Sequence, residues 1–437
     1  MLCGARVVEA DRSQLSWELL DLEALLPAEH RARLVWGFVE TLDLTAFYEA
    51  IGSRDGEAGR PAADPKVLLA LWLYATVEGV GSARELDRLV GRDVAYRWLA
   101  GGVPVNYHGL SDFRVGWSQE LDRLLTESVT ALVAEGLVSL EEIAVDGTKV
   151  RSPAAARSFT RGGRLARIER QAAERVARLK AEVAGDPAAV SRRRQAAQAR
   201  AAREAEAKVQ RARAVLDRLR EEKQAREKTH PAEEAEKAAP SVSLTDPEAR
   251  RMRFADGAVR AGYNVQTAAV PESGLIAAVL TTDRRNDKGL ARPLVDEVVR
   301  RYGTSPRRAL FDEGYAARAD VAALAEHPVG PVLVYAPPPS EKPEAALHPR
   351  DRANRRYKRA REPQAVKDWR TRMKTEEGQR TFRRRKLVER IHAHYKQRGL
   401  GRLTVRGLLK TQAVALWHAL ANNLMVAHRL RAAAVTA

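Results

Sequence analysis

Cysteine is almost absent from this 437-residue chain, with Cys3 standing alone. A single thiol excludes an intrachain disulfide and a cysteine-built zinc site, and it fits a reducing interior. No apolar run approaches the length needed to span a bilayer, so a membrane protein is not expected. The N-terminus, MLCGARVVEADRS, lacks a signal-peptide apolar core, so a cytoplasmic location is expected. There is no G-x-x-x-x-G-K-[ST] motif, hence no sign of a nucleotide site. The histidines His30, His108, His392 and His394 are scattered. The last two, spaced i, i+2 on a helix, face different sides, which disfavours joint ligation. No Ser/His/Asp arrangement stands out.

Positive charge is in excess. The formal net charge is +18, spread along the chain. Such a surplus makes a polyanion the expected partner rather than a membrane surface. The chain is also too long for one ordinary core, so two or three domains are expected.

Residues 14 to 135 read as helical. Asp64-Pro65 is a start signal, with Asp as N-cap and Pro at the first helical position. Ser82 and Glu85 make a capping box, and DVAYRWLAGG stops at Gly101-Gly102. Two readings of these short helices stay open. One is a helix-turn-helix DNA reader using Arg84, Arg88, Arg92 and Arg97; the other is a plain bundle with solvated arginines. Trp72 and Trp98 read as core.

The pattern changes at 139. Ile143-Ala144-Val145 reads as a strand end, and Asp146-Gly147 as the turn that follows. From 163 to 228, Leu165, Ile168, Ala172 and Val176, then Val209, Ala212, Leu216 and Leu219, recur at helical steps. Gly185-Asp186-Pro187 separates the two runs, which predicts an antiparallel helical hairpin. Residues 229 to 242 read as a polar linker. Strands are expected at 263–270, 274–282, 308–312 and 330–336, with helices near 289–301 and 318–326. That order is α/β with a mixed sheet. Residues 337 to 372 read as a loop, Pro-rich and then strongly basic, and 376 to 432 as helical with a break at Arg406-Gly407.

The chain thus divides into a helical N-terminal domain, 1–135, an α/β domain made of 136–160 and 241–437, and an inserted hairpin with its linker, 161–240.

The chemistry is expected from three separated carboxylates. Asp146 closes the first strand and Asp312 the fourth. If those strands are neighbours, the two side chains face each other across the crevice where α/β sheets bind ligands. The stretch Phe382 to Lys396 reads as one helix, bringing Phe382, Arg385, Glu389 and Lys396 to one side. A solvated basic helix with an incidental Arg385–Glu389 pair would carry the same residues. Taken singly, an aspartate beside glycine more often marks a turn. Taken together, three converging carboxylates repel one another unless divalent cations hold them, and Mg²⁺ suits such oxygen donors. Two such ions, about 3.5–4 Å apart, would stabilise attacking and leaving oxygens at phosphorus. A further carboxylate, Asp287, reads as the N-cap of the helix over 289–301.

The order Asp146, Asp312, Glu389 resembles that of the DDE transposases of bacterial insertion sequences. The late helix is similar to their Y-x2-R-x3-E-x6-K signature: Arg385, Glu389 and Lys396 match, with Phe382 in place of the tyrosine. VDGTKV, FDEGY, DPEARRM, GYNVQTA and the stretch Trp369 to Gly378 are also similar to the subgroup carrying a coiled-coil insert, as is the helical leader ADPKVLLALWLYATVEGVGSARELDRLV. The resemblance implies a ribonuclease H-like catalytic domain. It also implies two Mg²⁺ ions, with Mn²⁺ as a possible substitute, on Asp146, Asp312 and Glu389. DNA contacts would come from Arg385, Lys396 and Phe382, with Arg84 and Arg88 in the leader. The expected partners are double-stranded DNA, as terminal inverted repeats and target, and a second copy of the chain in a homodimer on that DNA. A nuclease of the same fold and a non-catalytic DNA-binding descendant are the alternatives, and the three carboxylates speak against the second.

Overall fold

The computed structural model describes residues 21–53, 61–185, 192–229, 239–340, 343 and 346–436. Cys3, the Asp186-Pro187 turn and linker residues 230–238 lie outside them.

The N-terminal layer is helical: α1 (Arg31–Glu40), α2 (Thr45–Glu49), α3 (Pro65–Val77), α4 (Ala83–Arg92), α5 (Val94–Ala100), α6 (Tyr107–Gly116) and α7 (Ser118–Ala134). The starts follow the local signals. Asp64 accepts a hydrogen bond from the Lys66 N–H at 2.8 Å, and Ser82 accepts from that of Glu85. Gly101 and Gly102 end α5 at positive φ, which a side chain would oppose. Helix α3 is buried on nearly every side, Trp72 included, because it is apolar almost throughout. Trp98 is only half-buried, packing edge-on against Trp36.

Strand β1 (Glu142–Arg151) follows, then the short β2 (Phe159–Thr160), α8 (Gly162–Gly185), α9 (Arg192–Thr229) and β3 (Val242–Ser243). Helices α8 and α9 pack on each other through Leu165, Val209, Ala212 and Leu216. An ion pair from Arg218 on α9 to Asp283 and another from Arg250 to the same carboxylate, each 2.6 Å, tie α9 to the sheet. The main sheet continues with β4 (Arg250–Arg253), β5 (Val259–Val270) and β6 (Leu275–Thr282). Then come α10 (Ala291–Tyr302), β7 (Arg308–Leu310), α11 (Arg318–Ala325) and β8 (Leu333–Tyr335). Among the described residues the strand order is β4-β5-β1-β7-β8, with β6 also on β5. The β1–β7 and β7–β8 pairs are parallel; the pairs made by β5 are antiparallel.

Three expectations change here. Strand β1 does not turn at Asp146-Gly147. It runs to Arg151 because β5 offers an unbroken antiparallel partner, from Ala144 opposite Ala269 to Arg151 opposite Gly262. What ends near Asp146 is the parallel neighbour: β7 pairs only with Glu142 to Ala144. Second, the segment from 337 to 372 is not all loop. It holds α12 (Pro349–Ala360), capped by His348 with Pro349 at its first position, and α13 (Gln364–Arg372), which buries Val366 and Trp369. Third, the late helix is two: α14 (Glu376–Arg383) and α15 (Lys386–Gln397). Tighter i to i+3 bonds at Arg385 and Leu387 shift the axis between them. There Arg384 turns to Glu142 on β1, 3.1 Å away.

The last helix, α16 (Leu408–Thr436), joins the two layers by packing on α3, α6, α7 and β6. Its amides complete the open edge of β6. Asn423 takes the N–H of Ile276 and donates to its carbonyl, both at 2.8 Å, and Gln412 does the same for Thr281 N–H and Val279 carbonyl. An edge strand without such cover would offer unpaired backbone groups. One cluster of buried apolar side chains runs from Leu26 to Ala427.

Candidate active site

The site forms where β1 outruns β7. Past Ala144, among the described residues, the β7 side of β1 stays unpaired until Arg151 bridges Arg402, and the chain leaving β7 turns there through a short 3-10 helix, Glu313–Tyr315. Asp312 caps that turn, accepting the Gly314 N–H at 2.8 Å. Asp146 sits two residues beyond the last β1–β7 pair and is mostly buried. Helix α15 packs across β1. Just before it, Arg385 reaches both acids, 3.6 Å to Asp146 and 3.1 Å to Glu389. The Asp146, Arg385 and Glu389 side chains therefore form one linked set. Glu389 is 54% exposed and faces solvent.

The two aspartates differ in charge environment. Burial by itself would raise the Asp146 carboxyl. The hydrogen bond and charge of His392, then Arg385 and the Gly147 N–H, outweigh it and hold the group below its ordinary value. Asp312 lies above its ordinary value, first through burial, then through the charges of Asp146 and Asp287. The Gly314 N–H and Arg385 compensate only in part. Asp312 thus carries an uncompensated carboxyl beside two other acids. Among the described residues, no three His, Cys, Asp or Glu side chains are gathered closely enough to enclose an ion.

Asp287 is not the helix cap expected of it. The N-cap of α10 is Leu290, and no side chain caps it. Asp287 instead points back to the sheet, where its Oδ1 accepts from Asn264 Nδ2 at 2.8 Å and Gln266 Nε2 at 2.7 Å. Tyr315, from the Asp312 turn, donates its hydroxyl to the Oε1 of Gln266. The alternation in GYNVQTA marks Asn264 and Gln266 as neighbours on one face of a strand, a signal available before the fold. His392 was also missed. It is buried, and its Nδ1 lies 3.3 Å from Asp146 Oδ2.

The remaining expected residues stand further out. Phe382 is on α14, with the Arg385 guanidinium 5.9 Å from its ring centroid. Lys396 is exposed near the end of α15. Arg84 stacks on Tyr107 in the helical layer, and Arg88 pairs with Glu85 at 2.8 Å. No helix among the described residues is long and apolar enough to cross a membrane.

A family model described as Transposase DDE domain matches residues 239–424, a span holding Asp287, Asp312 and Glu389 but starting after Asp146. A second, described as Transposase domain (DUF772), matches residues 20–115, the helical layer up to α6. No curated protein and no solved structure matches the chain. With the main-sheet strands after β1 and the helical leader matched by transposase models, this chain belongs to the DDE transposases of insertion sequences, enzymes that cut and join DNA.

Proposed function

We propose that Asp146, Asp312 and Glu389 are the three catalytic carboxylates of this transposase and that they hold two Mg²⁺ ions, which Mn²⁺ can replace. The observation that carries this reading is the setting of Asp312: a half-buried carboxyl just past a strand end, held above its ordinary value first by burial and then by the charges of Asp146 and Asp287, which Arg385 and the Gly314 N–H only partly offset. Uncompensated oxygen donors fit a hard divalent cation. The open lone pairs of Asp146 fit it too, since each carboxylate oxygen accepts more than the single bonds seen here.

In this reading the chain's residues divide the work. Asp146 from β1, Asp312 and Glu389 from α15 would together hold the two ions. The exposure of Glu389 leaves it free to do so. Arg385, released from its bridge between two carboxylates, turns to a phosphate next to the scissile bond, and Lys396 holds another. When bound, the cations supply Lewis-acid stabilisation of the charge that builds on the attacking and leaving oxygens. Water cuts at the element's end, and the freed 3′-hydroxyl attacks target DNA. Phe382 offers a ring for packing against DNA.

The strand order supports a ribonuclease H-like domain: a central first strand between an antiparallel and a parallel neighbour. We assign this domain to 136–160 and 241–437. Helices α8 and α9 would form a coiled-coil hairpin inserted over 161–240, and 1–135 a DNA-binding and dimerisation domain in which Arg84 and Arg88 meet backbone phosphates. The chain would act as a homodimer on paired terminal repeats.

The test uses DNA bearing the element's ends with Mg²⁺ or Mn²⁺. Asp146→Asn, Asp312→Asn and Glu389→Gln should each bind the ends yet lose strand cleavage by at least about 100-fold. Cleavage that persists in any one variant removes that residue from the assignment.

A further inference from the structure

The strongest unassigned group lies directly behind Asp146. His392 is one turn along α15 from Glu389, and 7% of it is exposed. Its Nδ1 reaches Asp146 Oδ2 at 3.3 Å, the same oxygen that Arg385 approaches at 3.6 Å. Its other nitrogen, Nε2, is buried and has no hydrogen-bond partner among the described residues. Leaving a buried nitrogen unpaired is unfavourable, and an apolar ring would fill the space without that cost. Among the described residues, the polar contact that offsets the orphan nitrogen is the one to Asp146. An Nδ1–H donated to Oδ2, with the Gly147 N–H donated to Oδ1 at 2.9 Å, fixes the rotation of the carboxylate. Ligating carboxylates depend on such partners for their orientation.

We infer that His392 is a positioning residue: it holds the Asp146 carboxylate in the orientation in which it receives a divalent cation. The inference rests on the proposed role of Asp146 and is separable from it. It does not use His392 as a ligand, and it requires only a fixed N–H donor at that place on α15. Asparagine can place an N–H near the imidazole Nδ1. Phenylalanine fills the volume and donates nothing.

The experiment titrates Mn²⁺ alone into the full chain by calorimetry and, separately, measures cleavage of end-bearing DNA. The variants are His392→Phe, His392→Asn and Asp146→Asn, with thermal unfolding as the check on folding. His392→Phe should weaken Mn²⁺ binding about ten-fold, and His392→Asn should recover most of that loss. Unchanged Mn²⁺ binding in His392→Phe, beside a lost response in Asp146→Asn, would overturn the positioning role alone. Unchanged binding in Asp146→Asn would instead remove Asp146 from the metal site, and the role of His392 with it. Should His392→Phe unfold, equal Mn²⁺ binding and cleavage by His392→Asn and His392→Ala would overturn the inference, since alanine has no donor.

Discussion

Asp287 and Gln266 are joined at 2.7 Å, from the Gln266 amide to the Asp287 carboxylate, across the gap between β5 and the loop before α10. Gln266 is fully buried and also receives the Tyr315 hydroxyl, so one side chain links that loop to the turn bearing Asp312. Asp287→Ala would leave the Gln266 and Asn264 amides short of an acceptor. It should destabilise the fold by roughly 1–3 kcal/mol. Asp287→Asn retains an oxygen in the same place and should cost less. Urea unfolding of the two variants measures the difference; equal losses would show that the acceptor is not what matters.

Gly147 leaves the room in which this network sits. A Cβ there would run into Gln266 Nε2 and lie 2.7 Å from Asp287 Oδ1 and 3.0 Å from Asn264 Oδ1. Gly147→Ala must therefore push the amides away from Asp287 or bend β1. A loss of about 1–3 kcal/mol is expected, as for other overpacked sites, together with a marked fall in cleavage. Calorimetric melting and a cleavage assay on the same preparation test it. A variant with unchanged melting and activity would show that the network gives way freely.

Asn423 substitutes for a strand at the edge of β6. Replacing it by Ala leaves both backbone groups of Ile276 buried without their partners. The expected cost is about 2–5 kcal/mol, from two unsatisfied groups. Native-state hydrogen exchange should report it first at the Ile276 amide. Protection there equal to that of the unaltered protein would refute the clamp.

His418 links stability to pH. It is fully enclosed on α16, and burial, helped by the charges of Arg114 and Arg398, lowers its imidazole to about 3. The unfolded chain takes up that proton near 6.5, so between about 6.5 and 3 the unfolded state binds more protons than the folded one. Stability should fall as pH drops through that window, by at most about 1.4 kcal/mol per pH unit from this group. His418→Gln has nothing to titrate and should show a shallower acid slope in urea unfolding. Identical slopes would mean that other groups set the acid limit.

Much of the fold could be read locally. Asp64-Pro65, Ser82 with Glu85, and Gly101-Gly102 mark helix ends because capping is satisfied by neighbours in sequence, and those ends stand as expected. Four strands after the linker were legible from their apolar runs, but β4, three of whose four residues are arginine, was not. What failed depended on distant partners. Asp146-Gly147 has the local chemistry of a turn, yet β5, more than a hundred residues later, holds it extended. Asp287 has the chemistry of a helix cap, and two amides of β5 hold it elsewhere. His392 looked like one half of an unproductive His pair, because helical spacing says which way a side chain points and not what waits there.

The sequence by itself carried the resemblance to DDE transposases: separated acids, a basic chain and a late Arg-x3-Glu-x6-Lys stretch are residue types and spacings that need no third dimension. Tertiary structure alone decided how the charges are shared. Arg385 bridges Asp146 and Glu389, His392 backs Asp146, and Asp312 is held above its ordinary value by burial and by its acidic neighbours. Electrostatic and hydrogen-bond energies depend on distance and burial through space, and neither is written in the distance along the chain.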